Sequence, residues 1–372
     1  MASPLSKLSI HGFKSIEALD DFDMGSLNVL IGGNGAGKSN FVDFFRMLRA
    51  MTDAALQQFV QRFGGGDGFL FMGPKRTRQI KAHLEFGKNA YEFDLEPTAD
   101  GGLQILDERV QYTGGPQPGG MKSLGRGNRE SQLKAHQSDS ASSGQGLGVP
   151  YYVFESVSKW TVYHFHDTSL EAGMRREHPA IDQEELHADG SNIAPFLLYL
   201  QTRSASTYDL IRDTVRLIAP FFDDFRLKPQ TKGGEEKLRL DWRQKGSRYP
   251  FSVIHLSDGM IRFVCLATAL LQPNPPATIV IDEPELGLHP FAINILADLV
   301  QSAAERTQVI VSTQSPALLD HVNADDVIVV NRRKGGSEFT RLDPAELKNW
   351  LEEYSIGELW QKNVVQGGPG HE

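Results

Sequence analysis

The stretch whose residue types and spacing most directly specify chemistry is Gly32-Gly33-Asn34-Gly35-Ala36-Gly37-Lys38-Ser39. It fits G-x-x-x-x-G-K-[ST] in full. The glycines let successive backbone N–H groups converge on phosphate oxygens with no Cβ in the way. Lys38 at that offset reaches β- and γ-phosphates, and the Ser39 hydroxyl, followed by Asn40, is placed for Mg2+. A plain Gly-rich turn before a helix accounts for the glycines but not for Lys-Ser at this position. A second set lies far along the chain, in IVIDEPELGLHP from Ile279. Asp282, ending an apolar run, delivers a carboxylate to a metal's coordination sphere, as phosphoryl transfer requires. Glu283, one residue on and pointing to the opposite side, suits a base taking a proton from attacking water. Acidic residues before a proline turn are unremarkable alone. Joined to the phosphate loop they complete one nucleotide site.

A third stretch, LSDGMIRFVCLATALL from residue 256 to 271, sets a Ser-Asp-Gly turn on a nearly all-apolar helix. The helix reads as buried core with Cys265 an inert thiol. The turn is polar enough to serve a separate purpose.

These groups need elements that hold them. SLNVLIG (Ser26 to Gly32) reads as a buried strand running into the phosphate loop. A helix follows from Ser39 to about Arg62, with Phe41, Phe44, Phe45, Leu48 and Met51 at helical spacing, its positive dipole end aimed at the loop. TIVID, QVIVST and DVIVV are short β-branched runs of the buried parallel type, the first two separated by a helix from about Pro290 to Glu305. KLSIH is a short strand, and AHLEF, YEFDL and LQIL form an antiparallel layer. Residues 113–149, rich in Gly, Ser, Gln and Pro, read as a long exposed loop, partly disordered. Order resumes at YYVFESVSKWTVYHF. SNIAPFLLYLQ and YDLIRDTVRLIAPFF look helical, KLRLDWRQ and RYPFSVIHL strand-like.

The chain has 372 residues and a formal charge of −9, so nothing draws it as a whole to nucleic acid or an anionic membrane. One cysteine excludes an internal disulfide and a Cys-rich metal site and fits a reducing cytoplasm. No run is long enough to span a membrane and the start carries no signal-peptide pattern, so a cytoplasmic protein is expected.

With these motifs in this order, the chain resembles the ABC-class ATPase heads. The nearest branch is that of predicted bacterial AAA-family ATPases allied to RecF, to chromosome-maintenance heads and to overcoming-lysogenisation-defect proteins. FKSIEALDDFDMGSLNVLIGGNGAGKSNFVDFFRML, YHFHDTS, ADGSNIAPFL and the span from LSDGMIRFVCLATALL through STQSPALLD carry it, about two-thirds of the chain. The resemblance implies an α/β P-loop head with a mixed or parallel core sheet, an antiparallel β layer and a helical insert. It divides the chain into the first part of the head (1–112), the loop (113–149), an insert of helices and strands (150–250) and the second part with signature, Asp282 strand and tail (251–372). It also implies ATP and Mg2+ as cofactors, with Ser39 and Asp282 at the metal and Glu283 as base. ATP is sandwiched between two heads, Ser257 and Gly259 binding the γ-phosphate held by the other copy, beside a charged Asp258. Gln314 in STQSPALLD stands where many relatives have a γ-phosphate-sensing histidine. A glutamine donates to phosphate or orients water but carries no proton charge, so slow or partner-dependent turnover is expected.

Lesser candidates complete the list. His164 and His166 share one face of an expected strand, a pairing that suggests a metal, but without a Cys or a third close ligand they read as structural or nucleotide-adjacent. Asp167 falls near the Mg2+ position of the resembled heads, and His289 near the dimer seam. The span from Lys38 to Ser257 lacks the heptads of a long coiled-coil arm, and the residues after the last strand are too few for a fused nuclease, so a separate effector is expected. DNA is a candidate partner through Lys75, Arg76, Arg78 and Lys81, through Arg332, Arg333 and Lys334, and through Lys122, Arg126 and Arg129. The functional expectation is a dimeric ATP-hydrolysing switch on DNA or in defence or repair. The alternative is a nucleotide-responsive scaffold with negligible turnover. A small-molecule kinase leaves the signature turn without a role. Trp350, Tyr354 and Trp360 near the C-terminus pack back on their own domain or form a docking surface.

Overall fold

A computed structural model describes residues 3–116, 119–139 and 147–365. Its centre is a six-stranded sheet in the order Gly336–Arg341, Val327–Arg333, Leu27–Ile31, Gln308–Ser312, Thr278–Asp282, Trp160–Tyr163. The first strand is antiparallel to its neighbour and the other five run parallel. Both faces are covered, which is why TIVID and QVIVS are buried at every position. Alternation divides their side chains between two cores. Val29, Ile279, Ile281, Val309 and Val311 join the helices Ile193–Arg203, Ala205–Ile218, Asp258–Leu271 and Pro290–Ala304. Leu30, Val280 and Ile310 face the helix Lys38–Thr52 and a second sheet. That second sheet is antiparallel, in the order Ile16–Asp23, Leu5–Phe13, Ile80–Phe86, Asn89–Pro97, Leu103–Tyr112, Lys122–Gly125. The helix Lys38–Thr52 is clamped between the sheets, Phe45 against Trp160 at 5.1 Å and Phe44 stacked on Phe93 at 6.4 Å. Each such fully buried ring contributes about 1.5–3 kcal/mol.

The helix expected from Ser39 to Arg62 is two helices, Lys38–Thr52 and Leu56–Arg62. The chain breaks where Ala54 turns left-handed at φ 54°. The Glu130 carboxylate then accepts from the Leu56 and Gln57 amides at 2.8 and 3.0 Å, restarting the helix with a side chain from the 113–149 stretch. That stretch is more ordered than its composition implies. Residues 117–118 and 140–146 lie outside the described residues. Of the rest, Lys122–Gly125 is the sixth strand, and Leu124 and Leu133 are buried. The buried Glu108 carboxylate takes the Ser131 hydroxyl and the Gln132 amide, so polar bonds replace an apolar period.

The strand Trp160–Tyr163, from the segment read as an insert, forms an edge of the central sheet. KLRLDWRQ contributes to two small antiparallel sheets. Glu235–Leu238 pairs with Gln230–Lys232 and His178–Pro179, and Asp241–Gln244 pairs with Phe222–Arg226 and Pro250–Ser252. RYPFSVIHL is strand only at Pro250–Ser252, then turns at Val253–His255 toward the helix Asp258–Leu271. Among the described residues no helix is long and apolar enough to cross a membrane.

Candidate functional site

The parallel strands end at one edge of the central sheet, and the chemically suggestive residues gather there, where ligands of open α/β sheets bind. The loop after Leu27–Ile31 is pinned from outside. Ser337 Oγ donates to the Ala36 carbonyl at 2.5 Å and lies in hydrogen-bond contact with Ser15 Oγ at 2.7 Å, and Asn40 Nδ2 donates to Ser15 Oγ at 2.7 Å. Gly37 stands at φ 116°, and a Cβ there would come within 2.6 Å of Ser15 Oγ and against Ser337 Oγ, so only glycine fits between these braces. Arg332 Nη1 donates to the Gly35 carbonyl at 3.1 Å. Asn34, Gly35 and Ser39 are exposed at the mouth. The Lys38 side chain is buried, with Nζ donating to the Gly32 and Gly33 carbonyls at 2.6 and 3.3 Å. Burial draws its pKa below the ordinary lysine value, and the charges of Glu283, Asp282 and Glu285 oppose that fall.

Those three carboxylates come from the end of the strand Thr278–Asp282. Asp282 is buried and accepts from the Ser312 hydroxyl. Glu283 leaves the strand in the left-handed region at φ 44°, a conformation costing about 1–3 kcal/mol in a residue with a side chain. It is held there by its amide, which donates to the Ser312 carbonyl at 2.9 Å, and by Gln314 Nε2, which donates to Glu283 Oε1 at 2.5 Å. Glu285 Oε1 accepts from Thr313 Oγ1 and the Gln314 amide at 2.7 and 2.8 Å, whereas its Oε2 is buried without a hydrogen-bond partner among the described residues. Burial raises the Glu285 carboxyl above its ordinary value, and Glu283 adds to the rise. The structure therefore brings Lys38, Asp282, Glu283 and Gln314 together and adds Glu285.

Ser257 caps the helix Asp258–Leu271, its side chain accepting from the Met260 amide, and both Ser257 and Asp258 are exposed. Gly259 packs so closely on the 287 turn that a Cβ would collide with the Gly287 carbonyl oxygen. The Asp258 charge has a partner. Arg175, almost wholly buried, donates to Asp258 Oδ1 at 2.8 Å and to the carbonyls of Thr168, Val253 and Leu256. Arg262 donates to the Phe165, His166 and Leu286 carbonyls, and His166 Nε2–H donates to the Asp282 carbonyl at 2.8 Å.

Arg175, Glu285 and the Ser15–Ser337 brace were not singled out from sequence. Arg262 had a readable signal, a lone cation within an apolar helix. His164 and His166 flank buried Phe165 just past the Trp160–Tyr163 strand rather than on it, with the His164 amide donating to Ala188 O at 2.9 Å. Exposed Asp167 accepts from the Ser169 amide at 3.0 Å. His289 is the N-cap of Pro290–Ala304, its Nδ1 accepting from the Phe291 amide at 3.2 Å. Lys122, Arg126 and Arg129 pair with Asp139, Asp107 and Asp100, Arg76 with Glu17 and Arg333 with Glu338. Tyr354 and Trp360 pack on the larger core, while Trp350 is about half exposed.

The comparisons agree with this architecture. The family described as "AAA domain, putative AbiEii toxin, Type IV TA system" matches residues 27–116 and 154–320. The Smc head bound to the C-terminal winged-helix domain of ScpA is similar at a TM-score of 0.56 and 16% identity, over 92% of this chain and 99% of that one. The Smc head with an extended coiled coil from Pyrococcus furiosus, bound to the C-terminal domain of ScpA, is similar at 0.52 and 15%, over 95% and 99%. A search of curated protein sequences returns no significant match. The fold is thus that of an ABC-type ATPase head, and the chain belongs to the AAA-domain family described as the AbiEii-toxin type.

Proposed function

We propose that this protein binds ATP with Mg2+ and hydrolyses it slowly, as a homodimer with two nucleotides sandwiched between heads. The observation that carries the reading is the meeting of Lys38, at the start of one helix, with Asp282, Glu283 and Gln314 from two neighbouring strand ends. The loop amides from Gly33 to Ser39 and the helix N-terminus cradle the phosphates. Lys38 exchanges the Gly32 and Gly33 carbonyls for phosphate oxygens. The cleft of about 420 Å³ beside the loop, lined among others by Lys14, Met72 and Arg332, offers room for the nucleoside.

The Asp282 carboxylate and the Ser39 hydroxyl are hard oxygen donors, a set that fits Mg2+. They would hold the ion, which neutralises phosphate charge when bound. Glu283 takes the proton of the attacking water. Gln314 fixes Glu283 through its hydrogen bond without contributing a titrating charge, which favours slow turnover.

The dimer rests on the Ser257 turn. It is exposed at a helix N-terminus, as an anion site requires, and Arg175 balances the Asp258 charge that would otherwise oppose a phosphate. Local pairing of the cations near Asp100, Asp107 and Asp139 weighs against DNA at that face. We infer a cytoplasmic switch whose nucleotide state is read by a separate effector. The test measures ATP turnover and solution mass for the native chain and for Glu283→Gln. The native protein should hydrolyse slowly, and the variant should accumulate as an ATP-bound dimer. A variant as fast as the parent removes Glu283 as base, and a mass unmoved by ATP removes the sandwich.

A further inference from the structure

Away from the nucleotide site, His178, Asp182 and His187 turn three metal-ligating atoms toward one point, all within 4.8 Å of one another. His178 Nε2 lies 2.8 Å and His187 Nε2 3.3 Å from Asp182 Oδ2. In a tetrahedral zinc site with bonds of about 2.0–2.1 Å, neighbouring donors stand roughly 3.3 Å apart, a spacing that both histidine–aspartate pairs meet to within about half an ångström. We propose that these residues form a binding site for a zinc-type divalent cation, independent of the ATP reading.

The backbone carrying the ligands is firmly held. His178 lies in a strand paired with Leu238. Asn192, fully buried, closes the 182–192 loop: its Nδ2 donates to the Asp182 and Glu185 carbonyls at 3.2 and 2.8 Å, and its Oδ1 accepts from the His187 amide at 2.8 Å. His187 Nδ1 lies 3.0 Å from Ser191 Oγ, the kind of outer contact that fixes the tautomer of a ligating imidazole. Two imidazoles and one carboxylate suit zinc or a neighbouring transition metal and not Mg2+, which prefers oxygen. Three protein ligands leave a fourth position to water.

The site is a staple. It joins the His178 strand to the loop whose Ala188 carbonyl accepts from the His164 amide, two residues before the imidazole that bonds the Asp282 carbonyl. Removing the ion loosens that loop first.

The test uses the full chain stripped with chelator, titrated with Zn2+ and with Co2+, whose visible absorption reports coordination number. The expected result is one tight equivalent with the intense bands of four-coordinate Co2+. His178→Ala and Asp182→Asn should each weaken binding by at least ~100-fold, and Ser191→Ala by about 10-fold, as loss of an outer contact does. Asp282→Asn should leave the equivalent in place. Melting in chelator, where each variant should match the stripped native chain, separates lost ligation from lost folding. A native chain that takes up no equivalent, or variants that bind as the native chain does, overturns the site. The trio is then a hydrogen-bonded cluster of two histidines on one aspartate.

Discussion

Replacing Arg175 should cost far more than replacing the carboxylate it pairs with. Arg175 is 5% exposed and donates to the carbonyls of Thr168, Val253 and Leu256 at 2.8, 2.7 and 3.1 Å. Arg175→Met fills the space but leaves those acceptors without their charged donor, at about 1–3 kcal/mol each. Because the three relax together, the sum comes to ~3–6 kcal/mol. The side chain of Asp258 is 69% exposed, and an ion pair of that kind contributes about 1 kcal/mol or less. Asp258→Asn also keeps an oxygen for Arg175. At roughly 2 °C per kcal/mol for a chain of this size, Arg175→Met should melt ~6–12 °C lower and Asp258→Asn no more than ~2 °C lower. The assay is thermal melting by circular dichroism, with ATP-linked dimerisation of Asp258→Asn followed in parallel. Dimerisation should persist or strengthen, because a negative charge leaves the surface beside Ser257. Equal melting losses refute the hydrogen-bond reasoning. A well-folded Asp258→Asn that no longer dimerises shows that Asp258 itself meets the nucleotide, and refutes the view of it as a charge balanced by Arg175.

Three further outcomes follow from the geometry. Burial raises the Glu285 carboxyl above its ordinary value, so its ionisation costs stability that is lost as pH rises from the ordinary carboxylate range through the raised folded value. Glu285→Gln should therefore melt higher than the native chain at neutral pH, with the gap closing in acid. A gap constant across pH rejects that origin. Gly259→Ala drives a methyl group into the Gly287 carbonyl and should cost about 1–3 kcal/mol together with nucleotide-linked dimerisation, checked by melting and by mass with ATP. Gln314→Ala frees Glu283 from its 2.5 Å bond and should lower kcat at least ~10-fold with KM for ATP little changed. A rise in KM alone would place Gln314 on the nucleotide instead.

The loop and the central strands were legible where they depend on local order. A buried run followed by glycines and Lys-Ser leaves the loop at Gly32 to Ser39 little freedom, and β-branched runs covered on both faces announce their own strands. What stayed hidden depends on partners far along the chain. Ser15 and Ser337 are ordinary serines until the fold sets them 2.7 Å apart around Gly37. The 113–149 stretch lacks an apolar period, yet Glu108 and Glu130 hold parts of it through backbone amides, a device that hydropathy does not register. The break at Ala54 was missed because Leu56–Arg62 continues the helical spacing after a left-handed residue.

Arg262 gives the proposed switch its physical connection. One buried side chain bridges the helix Asp258–Leu271 to the Phe165–His166 segment and to Leu286, just past the carboxylates, while His166 bonds the Asp282 carbonyl. A displacement of the Asp282 strand end on nucleotide binding would pull on the Ser257 turn through these bonds, and releasing the buried Phe165 carbonyl alone would cost about 1–3 kcal/mol. In the dimer reading, the turn faces the partner's nucleotide while the strand end faces its own. Arg262 would then make occupancy of one site a condition for the geometry of the other, through hydrogen bonds within a single head.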